Sequence, residues 1–360
     1  MGVPDKIDLP GRLGEPDLEL RNDPRADPRM LRLMDSIGLL ESAAPPVSVH
    51  TSYEEILAFL ELAEESYETL NDTVTSSWPP IKGVSREKLT ITGEDENEIS
   101  LYIHRSDKAS KVLPGILHLH GGGMCLMSAT GSMYDRWCAE LAATGLVVVS
   151  VEFRNSAGKL GPFPFPAGLN DCTSALYWMD EHRTELDISG IVISGESGGG
   201  NLSIASCLKA KRDNRITAVS GVYAQCPAVS NRYVNKDPSL PSLFENDELG
   251  LSCELMGALY KTYDPDGKNA ENPLAWPLYA KIEDLQGLPP HFVSVCELDP
   301  LRDEGLAYSR KLLKAGVHAA SRTINGVVHA GDMSFREAMP EVYFSSIRDI
   351  KSFADYVCES

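Results

Sequence analysis

The sequence predicts an α/β fold: a mostly parallel sheet with helices on both faces. Three observations carry this. From about residue 88 onward, short apolar runs alternate with stretches of helical length and pattern. The apolar runs are nearly continuous, as strands buried on both faces must be. One of them, "GIVIS", runs directly into "GESGGGN" (195–201), where a strand has to turn sharply into a helix.

Each element follows from its own signals. "KLTITGEDENEISLYIHRS" reads as two strands joined by a polar turn. "VLPGILHLH" (112–120) is a short buried strand, and "SMYDRWCAELAATG" (132–145) a helix ending at Gly145. "LVVVSVEFR" (146–154) is a strand, followed by a helix over 167–186. "GIVISGES" is a strand and "GGNLSIASCLKAKRDN" a helix. "AVSGVYAQCPAV" (218–229) and "HFVSVCEL" (291–298) are strands. "LRDEGLAYSRKLLKAG" (301–316) is a helix, and "HAASRTI" (318–324) is the last expected strand.

Two regions stand outside this rhythm. Residues 1–30, rich in Pro and Asp, are expected to be irregular, with helices at 30–40 and 52–70. The second helix opens on Ser52 and Glu55, a capping-box pair. Residues 230–289 hold no clear strand but include a helical pattern at 253–263. A gap of that length should carry structure of its own. The expectation is a chain with residues 1–85 supplying cap helices, 86–229 the first part of the core, 230–275 a cap insertion and 276–360 the rest of the core.

Composition narrows the function. The chain has 360 residues, 42% of them hydrophobic, and a net charge of −19. Such acidity argues against nucleic acid and against anionic membrane surfaces as partners. No apolar run reaches the ~20 residues of a membrane span. "MGVPDKIDLPGR" lacks the apolar segment of a secretory leader. Two lipidation patterns fail by one position each: Lys6 stands where myristoylation needs Ser or Thr, and Cys358 lies three from the end rather than four. Eight cysteines occur singly, mostly in apolar runs, and are expected to be free and buried. A soluble cytoplasmic protein is the expectation.

The chemistry centres on Ser197. Strand, "GESGG" and helix in succession are the setting of a nucleophile elbow, G-x-S-x-G. Gly195 and Gly199 must be small where strand and helix pass closely. The helix N-terminus places amides and partial positive charge beside the serine. A phosphate loop does not fit, because no Lys precedes Ser197 and "SAGKLG" lacks the flanking residues. "HGGGM" (120–124) follows a strand, and consecutive glycines there leave amides able to face an anion, as an oxyanion hole requires. His118 and His120 share a strand face, but no further ligand cluster accompanies them, so a core or orienting role is preferred to a metal site. Asp299 lies at the carboxyl end of a strand, where active-site residues of open α/β sheets gather. Its rivals, Asp303 and Glu304, fall in the first turn of the next helix, where acids are expected for dipole reasons alone. His329, in the loop after the last strand, is the candidate base. His50, His182, His291 and His318 read as surface or core residues.

"HGGGM", "GESGGGN", "ELDPLRDEG" and "VVHA", in this order, resemble the hormone-sensitive-lipase family of esterases over about residues 85–355. The resemblance implies the α/β-hydrolase fold: a mostly parallel eight-stranded sheet with helices on both faces and a helical cap. It implies a carboxylesterase with Ser197 as nucleophile, Asp299 as acid and His329 as base. Gly122, Gly123 and Gly198 would donate the oxyanion-hole amides, with no cofactor and a small-molecule ester as substrate. Short to medium acyl chains are implied, and a homodimer is left open. Glu196 and Gly198 replace the family's more usual Asp and Ala but keep charge and small size. Met124 stands where many relatives carry an aromatic residue, which bears on acyl-pocket size. Arg154 and Asp171 resemble a structural pair of the family. Two alternatives use the same residues or the same fold: an amidase or lactonase with this triad, and a non-enzymatic ligand-binding protein.

Overall fold

The computed structural model describes residues 11–41, 44–107 and 111–358. The first ten residues, part of the stretch expected to be irregular, lie outside these. Eight strands form one sheet: β1 (Val84–Thr92), β2 (Glu98–Ser106), β3 (Leu113–Leu119), β4 (Val147–Glu152), β5 (Ile188–Glu196), β6 (Gly221–Gln225), β7 (His291–Cys296) and β8 (Ala319–Ile324). Their order across the sheet is β1-β2-β4-β3-β5-β6-β7-β8. β2 runs antiparallel to β1 and β4, and every pair from β4 to β8 is parallel.

Helices follow the expected alternation. α1 (Pro28–Ser36) and α2 (Tyr53–Thr75) precede the sheet; α3 (Ser132–Ala143), α4 (Ala167–Glu181) and α5 (Gly198–Arg212) connect its central strands. α6 (Ser242–Glu245), α7 (Cys253–Tyr263) and α8 (Ile282–Leu285) lie between β6 and β7, and α9 (Arg302–Lys314) connects β7 to β8. α1 starts two residues before the expected position, because the Asp27 side chain accepts the Arg29 amide and Pro28 occupies the first turn. α2 carries the expected capping box, Ser52 and Glu55 each accepting the other's backbone amide. Beyond the last expected strand the structure adds α10 (Gly331–Ser334) and the long α11 (Pro340–Cys358).

The period-2 alternation of the strands sorts their side chains into two cores. Leu117, Val149, Ile191 and Ile193 face α4, α5 and α9, burying Leu176, Leu202 and Leu312. Ile116, Val148 and Val192 point the other way, against Trp137 and Leu141 of α3 and Ile347 and Ile350 of α11. Each fully buried Leu or Ile contributes roughly 1.5–3 kcal/mol of transfer free energy. The first core continues without a break into Tyr233, Tyr260, Tyr263 and Trp276, so the segment between β6 and β7 packs onto it through these aromatics. α2 and α7 lie together, with Lys261 Nζ donating to the carbonyls of Val49 and Thr51 at the entry to α2. All eight cysteines are free and seven are buried. Among the described residues no helix is long and apolar enough to cross a membrane.

Candidate active site

Ser197 sits between the last residue of β5 and the first of α5 with φ 56° and ψ −119°. A non-glycine residue held there costs on the order of 1–3 kcal/mol and persists only when its surroundings dictate it. They do so here. The Ser197 amide donates to the Gln225 carbonyl (2.9 Å), and the Ser197 carbonyl accepts the amides of Asn201 (3.0 Å) and Ala228 (3.1 Å). The flanking glycines leave no alternative. A Cβ on Gly195 would lie 2.4 Å from the Leu119 carbonyl oxygen, and one on Gly199 would lie 1.9 Å from it. The close approach is therefore to the end of β3 as well as between strand and helix.

The end of β3 carries the glycine loop. Gly122 and Gly123 have φ of 93° and 64°, a region that favours glycine. Among the described residues the Gly122 and Gly123 amides have no acceptor. Gly198 abuts this loop so closely that a Cβ there would stand 2.7 Å from the Gly123 amide nitrogen and 2.5 Å from that of Met124. The Gly198 amide opens α5, where the first-turn N–H groups lack intrahelical partners. The three predicted donor residues thus belong to two backbone segments in direct contact.

Asp299 and His329 meet. His329 Nδ1 is 2.7 Å from Asp299 Oδ2. Asp299 is fully buried, and its other oxygen accepts the Leu301 amide at 2.9 Å. The Asn246 amide group donates to the Asp299 carbonyl at 3.0 Å. His329 follows β8 and its side chain is 14% exposed. Burial disfavours its charged form. The Asp299 carboxylate and its hydrogen bond outweigh that, helped by Glu196 and Asp332, so the pKa is raised. Ser197, Asp299 and His329 all follow strands of the parallel part of the sheet, at the carboxyl ends of β5, β7 and β8.

The rivals are placed elsewhere. Asp303 accepts the Ser242 amide at 2.7 Å and pairs with Arg302. Glu304 lies in the first turn of α9, as expected, but it does more than face the helix dipole. It is buried and accepts from the Val229 amide (2.7 Å), the Ser230 hydroxyl (2.5 Å) and the Tyr233 hydroxyl (2.7 Å). Burial pushes its pKa up to about 7 against those hydrogen bonds. His118 is buried with neither ring nitrogen partnered, and burial drives its pKa down to about 3. His120 stacks on Phe153 and contacts the Gly121 carbonyl through Nδ1 (2.9 Å). Among the described residues the one group of three potential metal ligands is Cys226, Asp299 and His329, with ligand atoms within 4.8 Å of one another. Arg154 and Asp171 form the expected pair, with contacts of 2.8–3.2 Å.

Two site residues had no role in the sequence expectation beyond a motif position or a helix. Glu196, beside the serine, is buried and accepts the Gly121 amide at 2.7 Å. Burial pushes its pKa up to about 7, against the pull of the Tyr134 hydroxyl and the Gly121 amide. Glu64, on α2, is also buried and accepts the Met127 amide at 2.5 Å. Glu64 takes the position that continues the Ile56–Leu60 stripe of α2, a local signal of burial, whereas what it and Glu196 bind is set by the fold.

The profile of the alpha/beta hydrolase fold matches residues 116–332. Among solved structures, brefeldin A esterase, described as a bacterial homologue of human hormone-sensitive lipase, is 42% identical with a TM-score of 0.95, covering 98% of this chain and 99% of that one. Esterase Est22 is 34% identical with a TM-score of 0.83, covering 94% of this chain and 99% of its own. Carboxylesterase NlhH of Mycobacterium tuberculosis is 31% identical over 333 residues, 88% of this chain and 92% of the relative. The chain belongs to the α/β-hydrolase fold family, in its hormone-sensitive-lipase branch.

Proposed function

We propose that the chain is a carboxylesterase working through Ser197, His329 and Asp299. His329 Nε2 takes the Ser197 proton as Oγ attacks the ester carbonyl. The tetrahedral oxyanion is received by the amides of Gly122, Gly123 and Gly198. The alcohol leaves with the proton from His329, and an acyl-enzyme remains. Water, deprotonated by His329, attacks the acyl carbonyl; collapse of the second tetrahedral intermediate frees the acid and restores the serine. Asp299 holds the imidazole with Nδ1 protonated and stabilises the imidazolium. Every step uses protein groups and water.

The observation that carries this reading is the 2.7 Å contact between His329 Nδ1 and buried Asp299, on the sheet rim that also holds the strained Ser197. The unpartnered glycine amides support the oxyanion role. Each such donor contributes about 10²–10³ in kcat in enzymes of this kind.

The cap would comprise the described part of residues 1–85, together with residues 230–275. Leu259 and Tyr260 of α7 lie 3.7 and 3.8 Å from where a Gly123 Cβ would stand, which limits room above the oxyanion amides. That supports short to medium acyl groups. Free cysteines throughout support a reducing, cytoplasmic setting. The test is turnover of p-nitrophenyl esters of graded chain length by the native chain and by Ser197→Ala. Hydrolysis that peaks at short to medium chains and vanishes in the variant supports the reading. Undiminished hydrolysis by the variant refutes it.

A further inference from the structure

The loop that follows β3 has no regular structure, yet it is held almost everywhere. At its start the Gly121 amide is bound by Glu196 (2.7 Å). Within it the Gly122 carbonyl accepts the amides of Cys125 (3.0 Å) and Leu126 (3.1 Å). The Met124 and Cys125 carbonyls accept the amides of Ser156 (3.0 Å) and Ala157 (3.1 Å), and the Met127 carbonyl accepts Asn155 Nδ2 (2.7 Å). At its far end the Met127 amide is bound by Glu64 Oε1 (2.5 Å). Between Glu196 and Glu64, the amides of Gly122, Gly123 and Met124 have no acceptor among the described residues.

Glu64 reaches this loop from α2, far away in sequence. Ile56 and Leu60 are buried on the same helix face, and the next position of that apolar stripe is a glutamate. Its second oxygen accepts the Lys159 amide at 2.6 Å. A Cβ on Gly158 would meet that oxygen at 2.5 Å, so glycine is required for the approach. An apolar residue at position 64 would continue the stripe without the desolvation cost of a buried carboxylate. Both carboxylate oxygens are instead committed to backbone amides of two loops that touch each other.

We infer that Glu64 is a positioning residue for the oxyanion-binding loop, so that α2 builds the catalytic site rather than merely covering it. This rests on the assignment of Gly122 and Gly123 as oxyanion donors. Glu196 fixes one end of the loop from inside the sheet and Glu64 fixes the other from the N-terminal helix. The open amides between them keep their direction only while both ends are held. Interactions made in the transition state alone lower kcat when lost and leave substrate binding in place.

The test is Glu64→Gln, which keeps size but turns a donor toward one of the two amides. The native chain and the exposed-neighbour control Glu65→Gln are measured beside it. Expected are a fall in kcat of about 10- to 100-fold, the scale of a small misplacement, and a KM within about twofold. Affinity for a trifluoromethyl ketone, whose hemiketal oxyanion needs the same amides, should fall by the same factor as kcat. A merely structural residue would lower the folded fraction without separating analogue from substrate. A folded Glu64→Gln with unchanged kcat and analogue affinity overturns the inference. So does failure of both Glu64→Gln and Glu64→Leu to fold, which would assign the residue to the fold alone. If Ser197→Ala is inactive while Glu64→Gln is unimpaired, the esterase reading stands and only this inference falls.

Discussion

His329 Nδ1 and Asp299 Oδ2 are 2.7 Å apart, and the aspartate is fully buried while the histidine keeps an edge toward solvent. That asymmetry fits a base that must meet substrate and an acid that must not. Asp299→Asn keeps the shape but favours the wrong imidazole tautomer. It should lower kcat by about 10⁴ with little change in thermal stability. Steady-state kinetics alongside circular dichroism checks this; a loss under tenfold would remove Asp299 from the triad.

The raised pKa of His329 fixes the acid side of the pH profile. The base works when neutral, so kcat/KM should fall as pH drops through a value above the ordinary histidine pKa of ~6.5. Glu196 contributes to the shift. Glu196→Gln should therefore move the acidic limb to lower pH. A limb that stays in place shows that the carboxylate has no influence on His329. The same shift has a stability consequence of fixed sign. Protonated His329 stabilises the folded chain below its unfolded pKa, and that contribution is lost as pH rises through the folded value.

Glu304 gives an independent reading of pH and stability. Its pKa is pushed from 4.5 to about 7 by burial, so the folded chain holds a proton there that the unfolded chain releases. Stability from this group is therefore full below about pH 4.5 and falls as pH rises to about 7. Glu304→Gln imitates the protonated form. Measured by thermal melts, the variant should gain on the native chain between pH 5 and pH 8. A Tm difference that is flat with pH would show that Glu304 is ionised throughout.

Some of this was legible in the residues. Alternating apolar runs gave the parallel sheet, and strand, "GESGG" and helix in succession gave the elbow at Ser197. Its place directly after a strand sets Asp299 apart from Asp303 and Glu304, and it is Asp299 that the fold brings to His329. The first-turn position of Glu304 accounts for an acid there, but nothing local reveals that Val229, Ser230 and Tyr233 close over it. What Glu64 binds was hidden for the same reason: it is one of six glutamates on α2, and only the fold brings it to Met127. α11 differs, since Tyr343, Ile347, Ile350 and Ala354 carry a helical period that is plain in the residues after Pro340.

Gly199→Ala forces a Cβ to 1.9 Å from a carbonyl oxygen of β3. Overpacking of this kind costs about 1–3 kcal/mol or more, and denaturant titration should show it; a neutral effect would mean that the elbow is not tightly set against β3.

Asp171 is buried and accepts from the Arg154 amide, the Arg154 guanidinium and the Asn97 side chain. Arg154 keeps its pairing with Asp95 when Asp171 is lost, but the buried amides left without an acceptor cost about 1–3 kcal/mol. Asp171→Ala should lose that much stability and, where still folded, keep its kcat. A large fall in kcat without destabilisation would give the pair a catalytic part that its geometry does not suggest.

The most direct measurement is covalent labelling with a fluorophosphonate, read by peptide mass spectrometry. A single adduct on Ser197 is expected in the native chain, none in Ser197→Ala, and strongly slowed labelling in His329→Ala. An adduct on another residue, or labelling of Ser197 that is unaffected by loss of His329, would contradict the account.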